Sequence, residues 1–259
     1  PSTWSLPQAL SVALMLMAIV EYDNQRRYWL IGALVGAILL SRPTAALGII
    51  FFVLIFWRGS PKLSFKNWLA LLAPFCLAIV LWGGYNQARF GSPTEDGYRL
   101  VNNKDFIMEG PAYRQDDKIF SLRYLPVNIY NYFLSSPVPV FDRKPGLQPP
   151  TLNPPYLKIN YPGVSLFLVM PILLWLYNLN WRNKEARYAF LTSLIILFVL
   201  LTYAWPGFRQ VGPRYTQDFL PLIYLSLLQS KDGLILKAKD KVLIIISAIF
   251  NFMLYLAMI

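Results

Sequence analysis

The chain of 259 residues contains no histidine and a single cysteine. Without histidine, a Ser-His-Asp triad, a Cys-His pair and a histidine-ligated metal are all excluded. Cys76 lies in an apolar run, where a lone thiol forms neither an internal disulfide nor a thiolate metal site. Charged residues make up only 14% of the chain, and 56% of the residues are hydrophobic. This balance is typical of a membrane protein, and it leaves acid–base chemistry to Asp, Glu, Lys or Tyr.

The net charge of +11 is distributed in a way that indicates topology and not a nucleic-acid partner. Four short loops carry the basic residues Arg26, Arg27, Arg58, Lys62, Lys66, Arg182, Lys184, Arg187, Lys231, Lys237, Lys239 and Lys241. The long polar segment 85–160 is nearly balanced in charge. Short positive loops beside a neutral long one follow the positive-inside rule. The short loops are therefore predicted to be cytoplasmic and the long segment extracytoplasmic.

Apolar runs separated by these loops predict an all-α fold, a polytopic membrane bundle of about seven to eight helices. The runs are 6–20, 28–40, 45–57, 68–82, 164–177, 188–203, 219–228 and 242–259. The organisation is predicted as N-terminal membrane helices (1–84), the extracytoplasmic loop (85–160) and C-terminal membrane helices (161–259). Because a loop of that length rarely lacks structure, we expect short helices within it.

One of these short helices is predicted at residues 119–134. Its apolar face would consist of Phe120, Tyr124, Ile129, Phe133 and Leu134. That face would lie toward the membrane. Packing against the helical bundle explains the same pattern equally well, so both alternatives stay open at this point.

The segment Ser41-Arg42-Pro43-Thr44 interrupts an apolar stretch. Each half is shorter than the roughly 20 residues that a spanning helix needs. One kinked helix would place the flanking basic loops on opposite faces, so the charge pattern favours two short helices that meet at Arg42 on the non-cytoplasmic side. A guanidinium between apolar runs needs a partner, and phosphate is suitable because it binds in bidentate geometry. Snorkelling to lipid headgroups is the structural alternative.

Two further polar clusters follow apolar runs. The first contains Asn86, Arg89 and Asp96, where Gly91 and a following proline are also typical of a helix C-cap and turn. The second contains Arg209, Arg214 and Asp218. Arg214 and Asp218 are four residues apart and are predicted to pair on one helical face. That pair has a structural explanation as well as a functional one.

These segments resemble the GT-C superfamily of membrane glycosyltransferases, especially its bacterial branch related to protein O-mannosyltransferases and lipid A aminoarabinose transferases. The string GALVGAILLSRPTAALGIIFFVL is similar to a glycine-spaced helix followed by an Arg-Pro-Thr break. YNQARFGSPTEDGY is similar to the element that leaves the membrane into the large outer loop. GPRYTQDFLPLIYL is similar to the family's helix start at G-x-RY, and LIIISAIFNFMLYL to its closing S-x-x-x-N helix.

The resemblance implies transfer of a sugar from a polyprenyl-phosphate donor to an acceptor on the extracytoplasmic side, with inversion at the anomeric carbon. Arginines would neutralise the leaving phosphate. The implied substrate- and phosphate-binding residues are Arg42, Asn86, Arg89, Asp96, Arg209, Arg214 and Tyr215. The family's catalytic carboxylate follows an N-terminal helix that has no counterpart here, so no base is assigned. We therefore expect a C-terminal fragment, and any divalent metal would bind to the upstream part.

Two other classes of protein remain as alternatives. A transporter or flippase also places charges and broken helices within the membrane. However, the chain shows no repeated helix sets, and its long Pro-rich outer loop suits substrate binding at one face. A non-catalytic membrane subunit that recruits anionic lipids through its basic loops is the other alternative. The expected partners are a lipid-linked donor and membrane lipid, without nucleic acid, in the bacterial inner (plasma) membrane. Donor sugar, acceptor and oligomeric state stay open.

Overall fold

The computed structural model describes residues 5–59, 62–95, 97, 119–142, 151–159, 163–205, 207, 210–230 and 237–257. Across these residues the chain is mostly helical, as predicted. It forms two compact units: Pro1–Ile119, Leu179–Leu200 and Thr216–Lys231 make the first, and Phe120–Asn178, Leu201–Tyr215 and Asp232–Ile259 make the second. Both units are discontinuous in sequence.

In the described residues the α-helices are α1 (Leu6–Asp23), α2 (Tyr28–Ser41), α3 (Pro43–Ala46), α4 (Ile49–Trp57), α5 (Phe65–Phe90), α6 (Leu125–Ile129), α7 (Leu166–Val169), α8 (Lys184–Leu201), α9 (Leu220–Ser230) and α10 (Ala238–Leu256). Tighter 3₁₀ turns lie at Leu122–Tyr124, Pro171–Asn178 and Arg214–Asp218, and a π turn lies at Tyr130–Leu134. The strands β1 (Val138–Asp142) and β2 (Thr151–Lys158) form an antiparallel ribbon.

Two helices of the described part, α1 and α5, are long and apolar enough to cross a membrane. The helices α8 and α10 have 18 and 19 residues, but charged residues occupy their first turns. Their remaining apolar stretches are shorter than the ~20 residues that span the hydrocarbon core. The helices α2 and α9 are shorter still, at 14 and 11 residues.

The prediction of a single span at 164–177 is wrong. The helix α7 has four residues, and a 3₁₀ turn of eight residues follows it from Pro171. At 1.5 Å and 2.0 Å per residue, the two together reach about 22 Å, less than the ~30 Å of hydrocarbon. Proline explains the break, because it lacks the amide hydrogen that would continue the helix beyond Met170.

The all-α prediction is also wrong in one place, since β1 and β2 lie in the long loop. Val138 pairs with Lys158, and Phe141 pairs with Leu152. Prolines disfavour helix throughout this region, and a two-stranded ribbon tolerates them because each strand has a free edge. The short helices that were expected at 119–134 are present. Their side chains do not share one environment, because Tyr124 is buried whereas Phe120, Ile129 and Leu134 are exposed.

Within the first unit, glycines of α2 hold it close to α5. A Cβ added at Gly32 would collide with the Leu71 carbonyl, and one added at Gly36 would lie 3.0 Å from Ala78 Cβ. Close packing through these small residues was predicted and is confirmed. Gly32 contacts Leu71 and Gly36 contacts Ala78, so residue numbers increase in the same direction along both helices. The helices α2 and α5 are therefore parallel. The C-terminal ends of α2 and α5 therefore lie at the same end of the unit.

Gly32→Ala is expected to destabilise the protein by about 1–3 kcal/mol, because the added methyl group forces two backbones apart. The matched control is Gly84→Ala in α5, where an added Cβ meets nothing within 4 Å. That control should be neutral or stabilise by up to about 1 kcal/mol, through helix propensity. Unfolding of the purified protein in SDS titrations measures both. Equal stability of the two variants would contradict the α2–α5 contact.

The opposite end of the first unit contains residues from three of the basic loops, and we call it the basic end (residues 22–28, 58–59, 62–63 and 183–185). Lys184 Nζ donates to the Arg58 carbonyl at 3.1 Å. The Tyr22 hydroxyl donates to Glu185 Oε1 at 2.7 Å. At the other end, which we call the Arg42 end, Ser41 Oγ lies 3.3 Å from the Pro7 carbonyl. The helices α1 and α2 are therefore antiparallel, and Arg42 lies far from the basic end.

Candidate functional site

Arg42 occupies a true break between helices. Its amide donates to the Ile38 carbonyl at 2.6 Å, which ends α2, and its carbonyl accepts from Ala45 at 3.1 Å, which begins α3. The backbone angles of Arg42, φ −145° and ψ 88°, are not helical. The following proline disfavours helical geometry at this position and occupies N1 of α3, where no amide hydrogen is required. The break predicted at Arg42–Pro43 is confirmed.

The partner of Arg42 is Asp218, at the end of the 3₁₀ turn that precedes α9. Arg42 Nε donates to Oδ1 at 3.1 Å, and Nη2 donates to Oδ2 at 2.7 Å. Thr44 Oγ1 also donates to Oδ2. The Asp218 side chain is 0% exposed and that of Arg42 is 17% exposed. This bidentate pair joins residues 176 positions apart in sequence, and it ties the α2–α3 break to the start of α9.

The sequence hypothesis paired Asp218 with Arg214 and left Arg42 for phosphate. The structure gives both carboxylate oxygens of Asp218 hydrogen bonds from Arg42. Asp218 and Thr44 were thus missed as partners of Arg42. A usable signal was present, since Asp218 is the one carboxylate in the cluster of Arg209, Arg214 and Asp218, and buried charges are paired. What spacing alone does not reveal is which arginine lies beside it.

Asn86 and Arg89 lie on the last turns of α5 and not in a loop. Asn86 is buried, and its Nδ2 donates to the Pro93 carbonyl at 3.4 Å. Arg89 Nη1 donates to the Tyr85 hydroxyl at 2.7 Å, and its guanidinium lies 5.0 Å from the Phe90 ring centre. Gly91, with φ 76°, ends the helix as the left-handed C-cap residue that the sequence indicated. Both polar residues are therefore at the Arg42 end.

Arg214 and Tyr215 belong to the second unit. The guanidinium of Arg214 lies 5.2 Å from the Tyr215 ring centre, and its Nη2 is 3.5 Å from the Tyr215 hydroxyl. Its Nε is buried without a hydrogen-bond partner. The Tyr215 ring contacts Tyr203 edge-on, with 5.7 Å between ring centres. A buried guanidinium nitrogen without an acceptor favours a site that receives an oxygen from outside this part of the chain.

Arg209 and Asp96, the two other predicted site residues, lie outside the described residues. Of the predicted set, the first unit places Arg42, Asn86 and Arg89 at one end. Arg214 and Tyr215 are adjacent in the second unit. In the described part of the chain no group of three acidic or cysteine side chains is arranged to hold a metal ion.

The S-x-x-x-N motif has a clear structural role in the second unit. Ser247 Oγ and Asn251 Nδ2 both donate to the Val169 carbonyl at 2.7 Å. That carbonyl is at the end of α7, where the following Met170–Pro171 break removes the usual intrahelical donor. The motif therefore binds α10 to an irregular segment of backbone.

Comparisons of the chain with protein-family models, with curated proteins and with solved structures find no match.

Proposed function

We propose that the chain is the membrane-embedded part of a glycosyltransferase. It would move a sugar from a polyprenyl-phosphate donor to an acceptor on the extracytoplasmic face of a membrane. The observation that carries this proposal is the Arg42–Asp218 ion pair at the helix break, because it joins two segments that resemble GT-C motifs. Those segments, SRPT and RYTQD, are far apart in the sequence.

A location in the membrane is supported by the surface of α5. Only 11% of its most apolar 18-residue window is buried. The core helix of a soluble protein of the same composition would be mostly buried. Large apolar side chains are exposed along this helix, among them Leu69, Leu77 and Val80. Lipid chains provide the apolar surroundings that such a helix requires.

The chemical roles follow from charge. A sugar transferred from a polyprenyl phosphate leaves negative charge on the phosphate, and fixed cations stabilise that charge most strongly where water is scarce. Asp218 neutralises Arg42 and holds its guanidinium in place. Phosphate binding would therefore depend mainly on Arg209 and Arg214. Arg42 would hold the α2–α3 break and the start of α9 in place.

Arg214→Ala in the natural polypeptide that contains this chain should reduce sugar transfer by on the order of 10²-fold, the usual scale for losing one such stabilising group. The measurement is transfer of radiolabelled sugar from a polyprenyl-phosphate donor in proteoliposomes. Arg182→Ala, an exposed basic residue close to the basic end, is the matched control and should transfer at the wild-type rate. Equal rates for both variants would refute the role of Arg214. Movement of intact donor across the bilayer without transfer would favour a flippase instead.

A further inference from the structure

A cavity of about 700 Å³ lies at the basic end of the first unit. It is formed by the end of α1, the start of α2, the end of α4 and the start of α8. Arg26 and Lys184 provide its cationic side chains, whereas Tyr28, Ile55 and Phe56 provide much of its apolar wall. The cavity therefore combines positive charge with an aromatic and aliphatic surface. It is remote from Arg42, so the proposed transfer site does not include it.

The two cations have capacity left for a ligand. Arg26 uses its Nε to donate to the Tyr22 carbonyl at 3.1 Å, and its guanidinium lies 5.3 Å from the Tyr22 ring centre. Lys184 donates one hydrogen bond, to the Arg58 carbonyl. Neither side chain takes part in the ion pairs formed by the described residues. An anion can thus accept hydrogen bonds from both.

Two other polar residues of the cavity wall form hydrogen bonds within the unit. Glu185 accepts a hydrogen bond from the Tyr22 hydroxyl at 2.7 Å, and Asn183 Oδ1 accepts from the Glu185 amide at 2.8 Å. Arg27, next to the cavity, donates to both oxygens of Glu21, and these hydrogen bonds raise the pKa of Arg27. Positive charge available to a ligand is therefore concentrated on Arg26 and Lys184.

The backbone of Arg26 adds a second and independent observation. Its φ is 54°, in the left-handed region that glycine or asparagine usually occupies after a helix. A residue with a Cβ atom, such as arginine, is strained in this backbone conformation. Glycine would fit the turn better, but it would remove the guanidinium from the cavity. The chain thus has a cationic side chain at the cavity where the end of the helix favours glycine.

We infer that this cavity binds the phosphate of an anionic phospholipid, with Arg26 and Lys184 as the phosphate ligands and the apolar wall receiving the adjoining acyl region. Basic clusters at the cytoplasmic side of membrane helices attract anionic lipids, and an arginine with free nitrogens suits a phosphate oxygen. The inference depends on the membrane location proposed above but not on sugar transfer. If sugar transfer is not observed, the lipid site is unaffected, and if lipid binding is not observed, the proposed sugar transfer is unaffected.

Native mass spectrometry of the detergent-solubilised protein, titrated with phosphatidylglycerol, tests the site. Wild type should retain phosphatidylglycerol in preference to phosphatidylcholine. Arg26→Ala should weaken that retention by at least about 10-fold, the scale of a lost hydrogen bond to a charged group. Arg182→Ala removes an equal charge from an exposed position outside the cavity and should change retention less than about 2-fold.

Two further arms separate the possible outcomes. Arg26→Gly should melt about 2–4 °C above Arg26→Ala, because only glycine relieves the left-handed strain, and it should bind lipid equally weakly. Loss of lipid in a properly folded variant then identifies the guanidinium as the cause. Inorganic phosphate should compete poorly, since it lacks the apolar part. Phosphatidylglycerol retention unchanged by Arg26→Gly, or displaced as well by inorganic phosphate as by free lipid, would overturn the inference.

Discussion

Arg42→Ala should lower the free energy of unfolding by about 3–5 kcal/mol, the cost of breaking a buried ion pair by removing one partner. The Asp218 side chain is 0% exposed, so its carboxylate would remain buried with Thr44 as its hydrogen-bond donor. From the sequence alone, the same change is expected to spare folding, because it opens no apolar cavity. The ion pair alters that expectation. SDS unfolding titrations measure the loss, with the exposed Arg58→Ala as a control that should lose less than about 0.5 kcal/mol.

A double variant, Arg42→Met with Asp218→Leu, should recover most of the stability that either single change removes. Replacing a buried ion pair by apolar residues of similar volume is often neutral, because the desolvation cost of both charges disappears. The two single substitutions should therefore show a large interaction free energy in a double-mutant cycle. Additive losses would show that Arg42 and Asp218 do not interact in the folded protein. They would also remove the observation on which the proposed function rests.

The double variant also separates packing from chemistry. If Arg42 stabilises charge on the leaving phosphate in spite of its pairing with Asp218, the stable double variant should still transfer sugar on the order of 10²-fold more slowly than wild type. Transfer at the wild-type rate in a folded double variant would restrict Arg42 to a structural role. Phosphate binding would then be left to Arg209 and Arg214. Stability and transfer must be measured on the same preparation, because loss of folding alone would lower both.

Local features of this site were predictable because their causes are local. Pro43 lacks an amide hydrogen and disfavours helix at Arg42, so the break follows from two adjacent residues. Gly91 after an apolar run that ends in polar residues indicates a helix C-cap, and the structure shows one. The small residues Gly32 and Gly36 predict close helix packing, which α5 provides. In each case a backbone constraint within a few residues determines the outcome.

Features that depend on distant segments were not predictable in the same way. Asp218, the partner of Arg42, lies 176 residues away in the sequence. A spacing rule for helices favoured Arg214 as the partner of Asp218 instead. The ribbon of β1 and β2 needs two segments to pair across an intervening loop. Hydropathy over 164–177 does not distinguish an α-helix from the shorter α-helical and 3₁₀ pieces that Pro171 produces. The cavity at the basic end likewise requires four elements to converge.

In intact cells, an impermeant maleimide should label Thr94→Cys fully and Lys62→Cys not at all, in a Cys76→Ala background. The replacement of Cys76 is needed because this native thiol is exposed. Thr94 follows the C-terminal end of α5, and Lys62 precedes its start. Both positions are exposed in the structure. Labelling of Lys62→Cys should appear once the membrane is permeabilised, which confirms that the thiol itself is reactive.

This result would orient the whole first unit, because its elements are tied together at both ends. The 26 residues of α5 span about 39 Å, more than the ~30 Å of hydrocarbon, so its two ends must face different compartments if it crosses the membrane. The parallel helix α2 then carries Arg42 to the same side as Thr94. The basic end, with Arg26 and Lys184, lies on the other side, where anionic lipid is available to its cavity. Labelling of Lys62→Cys with Thr94→Cys protected would invert this arrangement and place Arg42 in the cytoplasm, away from any extracytoplasmic acceptor. Labelling of both in intact cells would mean that α5 does not cross the membrane.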